Sequence, residues 1–264
     1  MHKKAIAAFL VIVVAAASGY SQRWKLVRYE LILGAGTTSF FGDIGGGADR
    51  NNLFGLKDIR LDATRPSLTL GLRYKFYQNF AGRFTLAYGM GAGTDIGAVN
   101  EARGYSFTTH IIEPSVIGEY YFISEDRRLA SNAVYNRRGM INNYSRLGAY
   151  VFGGLAGIYF SPKLSNVRPG DRLVTNDYSH ISAAIPLGLG VKYVISDVWM
   201  VGFELGGRLS LSDFVDGYNP PVAGNKAQDI YYFTAFNAVY RIKNDRDNVP
   251  LFLKQYMNRR PRRR

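Results

Sequence analysis

Catalysis needs groups that attack, move a proton or bind a metal, and this chain offers few of them. Its 264 residues include no cysteine, which excludes thiol nucleophiles, Cys-based zinc sites, disulfides and acylation at an N-terminal cysteine. The three histidines are His2, His110 and His180. A hydrolase would have to set His110 or His180 beside a serine and a carboxylate. Thr109, Glu113 and Ser115 stand near His110, and Asp177, Ser179 and Ser182 near His180. In an extended strand His110 shares its face with Ile112, Pro114 and Val116, while Glu113 points the other way. The stretch around His180 has ordinary loop composition. Glycines 89, 91 and 93 follow a strand pattern but open no helix pattern, so they are not a nucleotide-binding loop. Asp43 and residues 49–52 (DRNN) carry oxygens suited to calcium, but their spacing misses an EF-hand. The expectation is a non-enzyme with no catalytic residue, metal site, cofactor or small-molecule substrate.

The elements that must position side chains are strands. Beyond residue 22 no stretch keeps a 3.6-residue apolar period, whereas period 2 recurs. In residues 185–193 (IPLGLGVKY) large apolar residues alternate with Pro186, Gly188, Gly190 and Lys192. Residues 68–76, 84–91, 112–122 and 199–206 behave the same way, and 27–35, 150–160 and 232–242 are noisier versions. The total is eight, each near the 9–11 residues of a tilted membrane strand. One face is apolar; the other is rich in Gly, Ala and Thr, and Tyr, Phe and Trp gather near the strand ends. A soluble sandwich would share the alternation, but small inward residues and aromatic girdles favour an all-β, eight-stranded antiparallel transmembrane barrel. Its interior has room only for side chains. Arg28, Glu30, Arg73, Lys75, Arg83, Glu113, Glu119, Lys192, Glu204 and Arg208 must then neutralise one another there.

Export is written at the N-terminus. Residues 1–4 (MHKK) are a short positive region, and residues 5–17 are an apolar run of thirteen, too short to span a membrane comfortably. Residues 1–21 therefore read as a cleaved signal peptide, with Ser18 an alternative site to Ser21. The barrel occupies 22–242 and a basic tail 243–264. The links at 78–80 and 196–198 are tight, whereas 37–65, 92–106, 161–183 and 209–230 are long. Short turns belong in the periplasm and long loops outside, which puts both termini and a long insertion, residues 124–146, between strands four and five in the periplasm.

Charge follows the same division. The chain holds 33 Lys+Arg against 20 Asp+Glu, net +13, and loss of Lys3 and Lys4 leaves +11. The insertion carries Arg127, Arg128, Arg137, Arg138 and Arg146 against Glu125 and Asp126; the tail is more basic still, ending in Arg259, Arg260, Arg262, Arg263 and Arg264. Such a patch attracts anions. Nucleic acid is not expected in the periplasm, and residues 258–264 (NRRPRRR) lack the aromatic interleaving of a stacking platform. Leu251, Phe252 and Tyr256 add an apolar patch beyond the last strand, so the face reads as a docking surface for a periplasmic protein, with outer-membrane lipid around the barrel.

Five stretches together carry a family resemblance: 39–46 (SFFGDIGG), 112–122 (IEPSVIGEYYF), 149–163 (AYVFGGLAGIYFSPK), 185–193 and 213–216 (DFVD). In their order and spacing the chain resembles the PorG-like outer-membrane proteins of the type IX secretion system, found in the Bacteroidota. That resemblance implies a non-enzymatic translocon component whose barrel sits in the outer membrane and contacts a periplasmic ring of the PorK lipoprotein and PorN. The basic insertion and tail are the candidate contact. The arginines at 259–264 match no family motif. Two other readings stay open: a stand-alone structural or adhesive barrel, and an outer-membrane lipid hydrolase using His110 or His180.

Overall fold

The computed structural model describes residues 27–41, 44, 63–98, 101–126, 145–168, 178–212, 214–218, 229–244 and 250–251. The signal segment 1–21, Asp43, residues 49–52, Arg127, Arg128, Arg137, Arg138, Phe252, Tyr256, Arg259, Arg260, Arg262, Arg263 and Arg264 lie outside the described residues.

Eight strands follow in order: β1 (Tyr29–Phe41), β2 (Arg65–Lys75), β3 (Phe80–Thr94), β4 (Ser106–Ile123), β5 (Leu147–Ser165), β6 (Ile181–Val194), β7 (Trp199–Ser210) and β8 (Ile230–Ile242). Each pairs antiparallel with its neighbour in sequence, and β8 returns to β1 to close the barrel. The closing seam runs from Tyr29 opposite Ile242 to Phe41 opposite Ile230. Closure pairs the edges that an open sheet would leave bare, which a lipid environment requires.

Alternation sends one series out and the other in. Leu31, Leu33, Leu68, Leu70, Leu72, Phe84, Leu86, Val116, Leu187, Leu189, Val201 and Leu205 are all exposed on the wall. An apolar belt of that extent suits a bilayer and not water. Aromatic pairs edge the belt: Tyr29 with Tyr74, Phe80 with Tyr120 and Trp199 with Tyr240 near the tight turns, and Phe41 with Tyr232 toward the long loops. This is the fold of an outer-membrane barrel.

The strands outrun the expected segments at the long-loop end. β4 has 18 residues and β5 has 19, and they stay paired out to Ser106 opposite Ser165. The loop boundaries expected at residues 37, 92, 161, 183 and 209 are therefore corrected, because β1, β3, β5, β6 and β7 continue past them. Thr108, Ser161 and Lys163 lie in these extensions, where backbone pairing persists after the apolar alternation has ended. Inside, a cluster including Phe40, Tyr105, Phe107, Ile111, Phe160, Tyr231 and Phe233 fills the long-loop half. A smaller one, with Ile117, Tyr121, Tyr150 and Phe152, lies toward the tight turns.

Gly36 sits on the closing seam, where an added Cβ would lie 1.8 Å from the Thr234 carbonyl oxygen and 2.7 Å from the Ala235 Cα. Those are backbone atoms and cannot swing away. At Gly157 a Cβ meets nothing within 4 Å. Gly36→Ala is expected to destabilise the barrel by about 1–3 kcal/mol, and Gly157→Ala to change it by no more than about 0.5 kcal/mol. The temperature at which the folded band is lost on semi-native gels measures both.

Candidate functional site

Register brings the interior charges together. Glu30 of β1 lies opposite Arg73 of β2 and Arg241 of β8, and Arg73 lies opposite Arg83 of β3. Arg73 reaches Glu30 at 2.8 Å and Glu119 at 2.7 Å, with Glu204 at 3.7 Å. Arg83 pairs with Glu119 at 3.1 Å and with Glu204. The Tyr121 hydroxyl donates to Glu119 at 2.7 Å, and the Tyr150 hydroxyl donates to Glu204. Arg73 also stands over the Tyr150 ring and Arg83 over the Phe152 ring, 5.3 and 5.5 Å from their centroids. Gly190 leaves the space Tyr150 needs, since a Cβ there would lie 2.3 Å from its ring.

Nearer the tight turns, Lys75, Lys192 and Arg241 converge on three carboxylates. Lys75 contacts Glu30 at 3.1 Å, Asp126 at 2.7 Å and Glu125. Lys192 contacts Glu125 at 2.8 Å and Glu30 at 3.3 Å, and Arg241 contacts Glu125 at 3.1 Å. Burial alone would raise the Glu125 carboxyl, but Lys192 and Lys75 outweigh it and hold the group below the ordinary carboxylate range. Toward the long loops, Glu113 accepts from Arg208 at 3.3 Å and from the Tyr231 hydroxyl at 2.7 Å.

Nine of the ten charges expected to meet in the interior are buried there: Glu30, Arg73, Lys75, Arg83, Glu113, Glu119, Lys192, Glu204 and Arg208. Arg28 is a correction. It precedes β1, is half-buried, and donates to the Tyr74 hydroxyl at 2.9 Å on the outward-facing series of β2. Outside a strand the alternation does not fix its direction. Sequence reasoning misses Arg241, although it shares the inward parity of Asn237 and Val239. Glu125 and Asp126 correct the charge count of the insertion: both are buried in the barrel mouth and do not offset its arginines. With them the interior balances, among these residues, six cations (Arg73, Lys75, Arg83, Lys192, Arg208, Arg241) against six carboxylates (Glu30, Glu113, Glu119, Glu125, Asp126, Glu204), Arg208 and Glu113 forming a pair apart from the rest.

Of the face expected to bind a partner, two residues are described. Arg146 is exposed just before β5, and its carbonyl accepts from the Val194 amide. Leu251 is 45% exposed, and its amide donates to the Lys243 carbonyl where the chain doubles back after β8. At the opposite end Asp95 takes Arg103 at 2.7 Å and the Tyr105 amide at 3.0 Å, Asp216 takes the Tyr218 amide and Asp229 the Val215 amide. These bonds brace the loops over the long-loop mouth.

Neither described histidine has a carboxylate among its hydrogen-bond partners in the described residues. His110 Nδ1 bonds the Tyr88 hydroxyl at 2.8 Å, and His180 Nδ1 the Phe160 carbonyl at 3.1 Å. Among the described residues no group of three His, Cys, Asp or Glu side chains could hold a metal ion. A groove of about 360 Å³ on the outer wall, between Phe76, Phe80, Tyr120 and Val151, has Gly118 and Gly153 in its lining.

Removing Glu30 would leave Arg73, Lys75, Lys192 and Arg241 short of a shared partner, whereas removing Glu113 frees one arginine. Glu30→Gln is expected to cost about 3–5 kcal/mol and Glu113→Gln less, measured by urea unfolding in detergent micelles.

Similar solved structures are small barrels. Outer membrane protein OprG of Pseudomonas aeruginosa is 11% identical, with 82% of this chain and 97% of that chain covered and a TM-score of 0.42. Outer Membrane Protein W of E. coli is 21% identical, with coverage of 81% and 98% and a TM-score of 0.41. The outer membrane enzyme PagL is 12% identical, with coverage of 79% and 97% and a TM-score of 0.35. No curated protein matches the chain in sequence. The model of one family, described as a domain of unknown function, matches residues 6–246 and so takes in all eight strands. The chain belongs to that family, DUF6089.

Proposed function

We propose that the chain is a non-catalytic outer-membrane component of a type IX secretion apparatus, which contacts a periplasmic ring of the PorK–PorN type through a basic periplasmic face. In this reading residues 1–21 are removed on export, and the tight turns and both termini face the periplasm. The observation that carries it is the withdrawal of Glu125 and Asp126 into the barrel. Residues 127–146 are left with five arginines and no carboxylate, a composition suited to an acidic protein surface. The tail adds to it, with Leu251, Phe252 and Tyr256 as apolar contacts.

Two further observations support this reading. The interior is filled by paired charges and aromatic rings, which suits a barrel that works at its ends and not as a passage for substrate. The hydrogen bonds of His110 and His180 go to a tyrosine and a backbone carbonyl, which gives the lipid-hydrolase reading no support. The stand-alone structural or adhesive reading draws instead on the long-loop end, where β4 and β5 are longest and the loops are braced.

A pull-down from detergent-solubilised outer membranes separates these readings. Full-length protein at low salt should bring down the ring proteins. Recovery should fall by about tenfold, roughly 1.4 kcal/mol, on truncation after Lys243 or on changing Arg127, Arg128, Arg137 and Arg138 to Ser. If the full-length barrel is recovered alone, the stand-alone reading takes over.

A further inference from the structure

The root of the insertion belongs electrostatically to the barrel. The strands alone bury six cations, Arg73, Lys75, Arg83, Lys192, Arg208 and Arg241, against four carboxylates, Glu30, Glu113, Glu119 and Glu204. Uncompensated charge is costly in an interior with no room for bulk water. Asp95, Asp216 and Asp229 are buried too, but at the long-loop mouth, where they take backbone amides and Arg103. The two carboxylates that complete the network come from the turn that follows β4. Ser124 anchors that turn by donating to the Gln78 carbonyl at 2.9 Å, and the Asp126 amide donates back to the Ser124 hydroxyl at 3.3 Å. Ser124, Glu125 and Asp126 are each at most 3% exposed. Their seat spans three strands that are not neighbours: Lys75 on β2, Lys192 on β6 and Arg241 on β8. Gly148 on β5 gives Glu125 its way in, since a Cβ there would lie 2.8 Å from the Glu125 Oε2 and 3.0 Å from the Lys192 Cγ.

We propose that Glu125 and Asp126 form a charge latch that ties the insertion to the barrel wall. A load on the insertion passes through the latch to β2, β6 and β8 and not only to the ends of β4 and β5. The lumen network in turn reaches neutrality only when the latch is seated. The inference holds whatever the insertion binds, and so it stands apart from the secretion reading.

Because the chain has no cysteine, Ser124→Cys gives a single thiol, still able to donate weakly to the Gln78 carbonyl, whose reaction with a maleimide reports whether the turn is seated. Two variants are compared with this parent in detergent-purified full-length protein. E125Q/D126N removes the latch, and E125Q/D126N/K75Q/K192Q removes it while restoring an equal number of cations and carboxylates in the network. The latch account expects the thiol at position 124 to react about tenfold faster in both. It also expects the unfolding temperature to fall by about 5 °C or more in the first and to recover in the second. Parent-like shielding of that thiol in E125Q/D126N, or a second variant no more stable than the first, overturns the proposal. If E125Q/D126N does not assemble, the second variant decides: a folded barrel with a reactive thiol supports the latch, and failure to assemble or a shielded thiol overturns it.

Discussion

An eight-stranded barrel has an interior wide enough for side chains but not for the water that would solvate ions. Six cations and six carboxylates are buried in that space, five of each in one connected network and Arg208 with Glu113 as a separate pair, so each must find its counter-charge among the others. The register provides this by setting Glu30 between Arg73 and Arg241 on the two neighbouring strands. Arg73, Arg83, Glu119 and Glu204 then link four strands across the lumen. Desolvation makes such a network a weak source of net stability but makes loss of any one partner expensive. Its larger effect is to fix which strand stands opposite which, because a slip of one residue would send the charges into lipid.

Much of this arrangement is legible in the sequence. Strict alternation in 68–76 and 185–193 defines strands and faces, and parity alone places Glu30, Arg73, Lys75 and Lys192 inside. Arg241 follows the same parity but ends a segment whose Tyr231–Phe233 aromatics blur the pattern. Tyr121 and Tyr150 are legible only as strand-end aromatics. Their inward parity, opposite to Tyr120 and Val151, assigns them to Glu119 and Glu204.

What cannot be read lies where periodicity stops. Arg28 sits one residue before β1 and turns outward to Tyr74. Glu125 and Asp126 fall in a connection, where composition suggests only a partial offset to neighbouring arginines. Their burial is a tertiary fact that follows from the charge deficit of the strands. It also changes the functional argument, since the insertion beyond them carries basic groups alone. The strand extensions through Thr94 and Ser165 are hidden for a related reason: backbone pairing continues where lipid no longer imposes an apolar face.

On the proposed reading the barrel is a support filled by side chains, and its partner contacts lie at the tight-turn end. Site-specific photo-crosslinking in living cells tests this most directly, with the reactive residue at Arg146, exposed beside the insertion, or at Ile96, 61% exposed at the long-loop end. A defined adduct with a periplasmic protein is expected from position 146 and none from position 96. An adduct from position 96 alone would contradict it and move the functional surface to the outside of the cell.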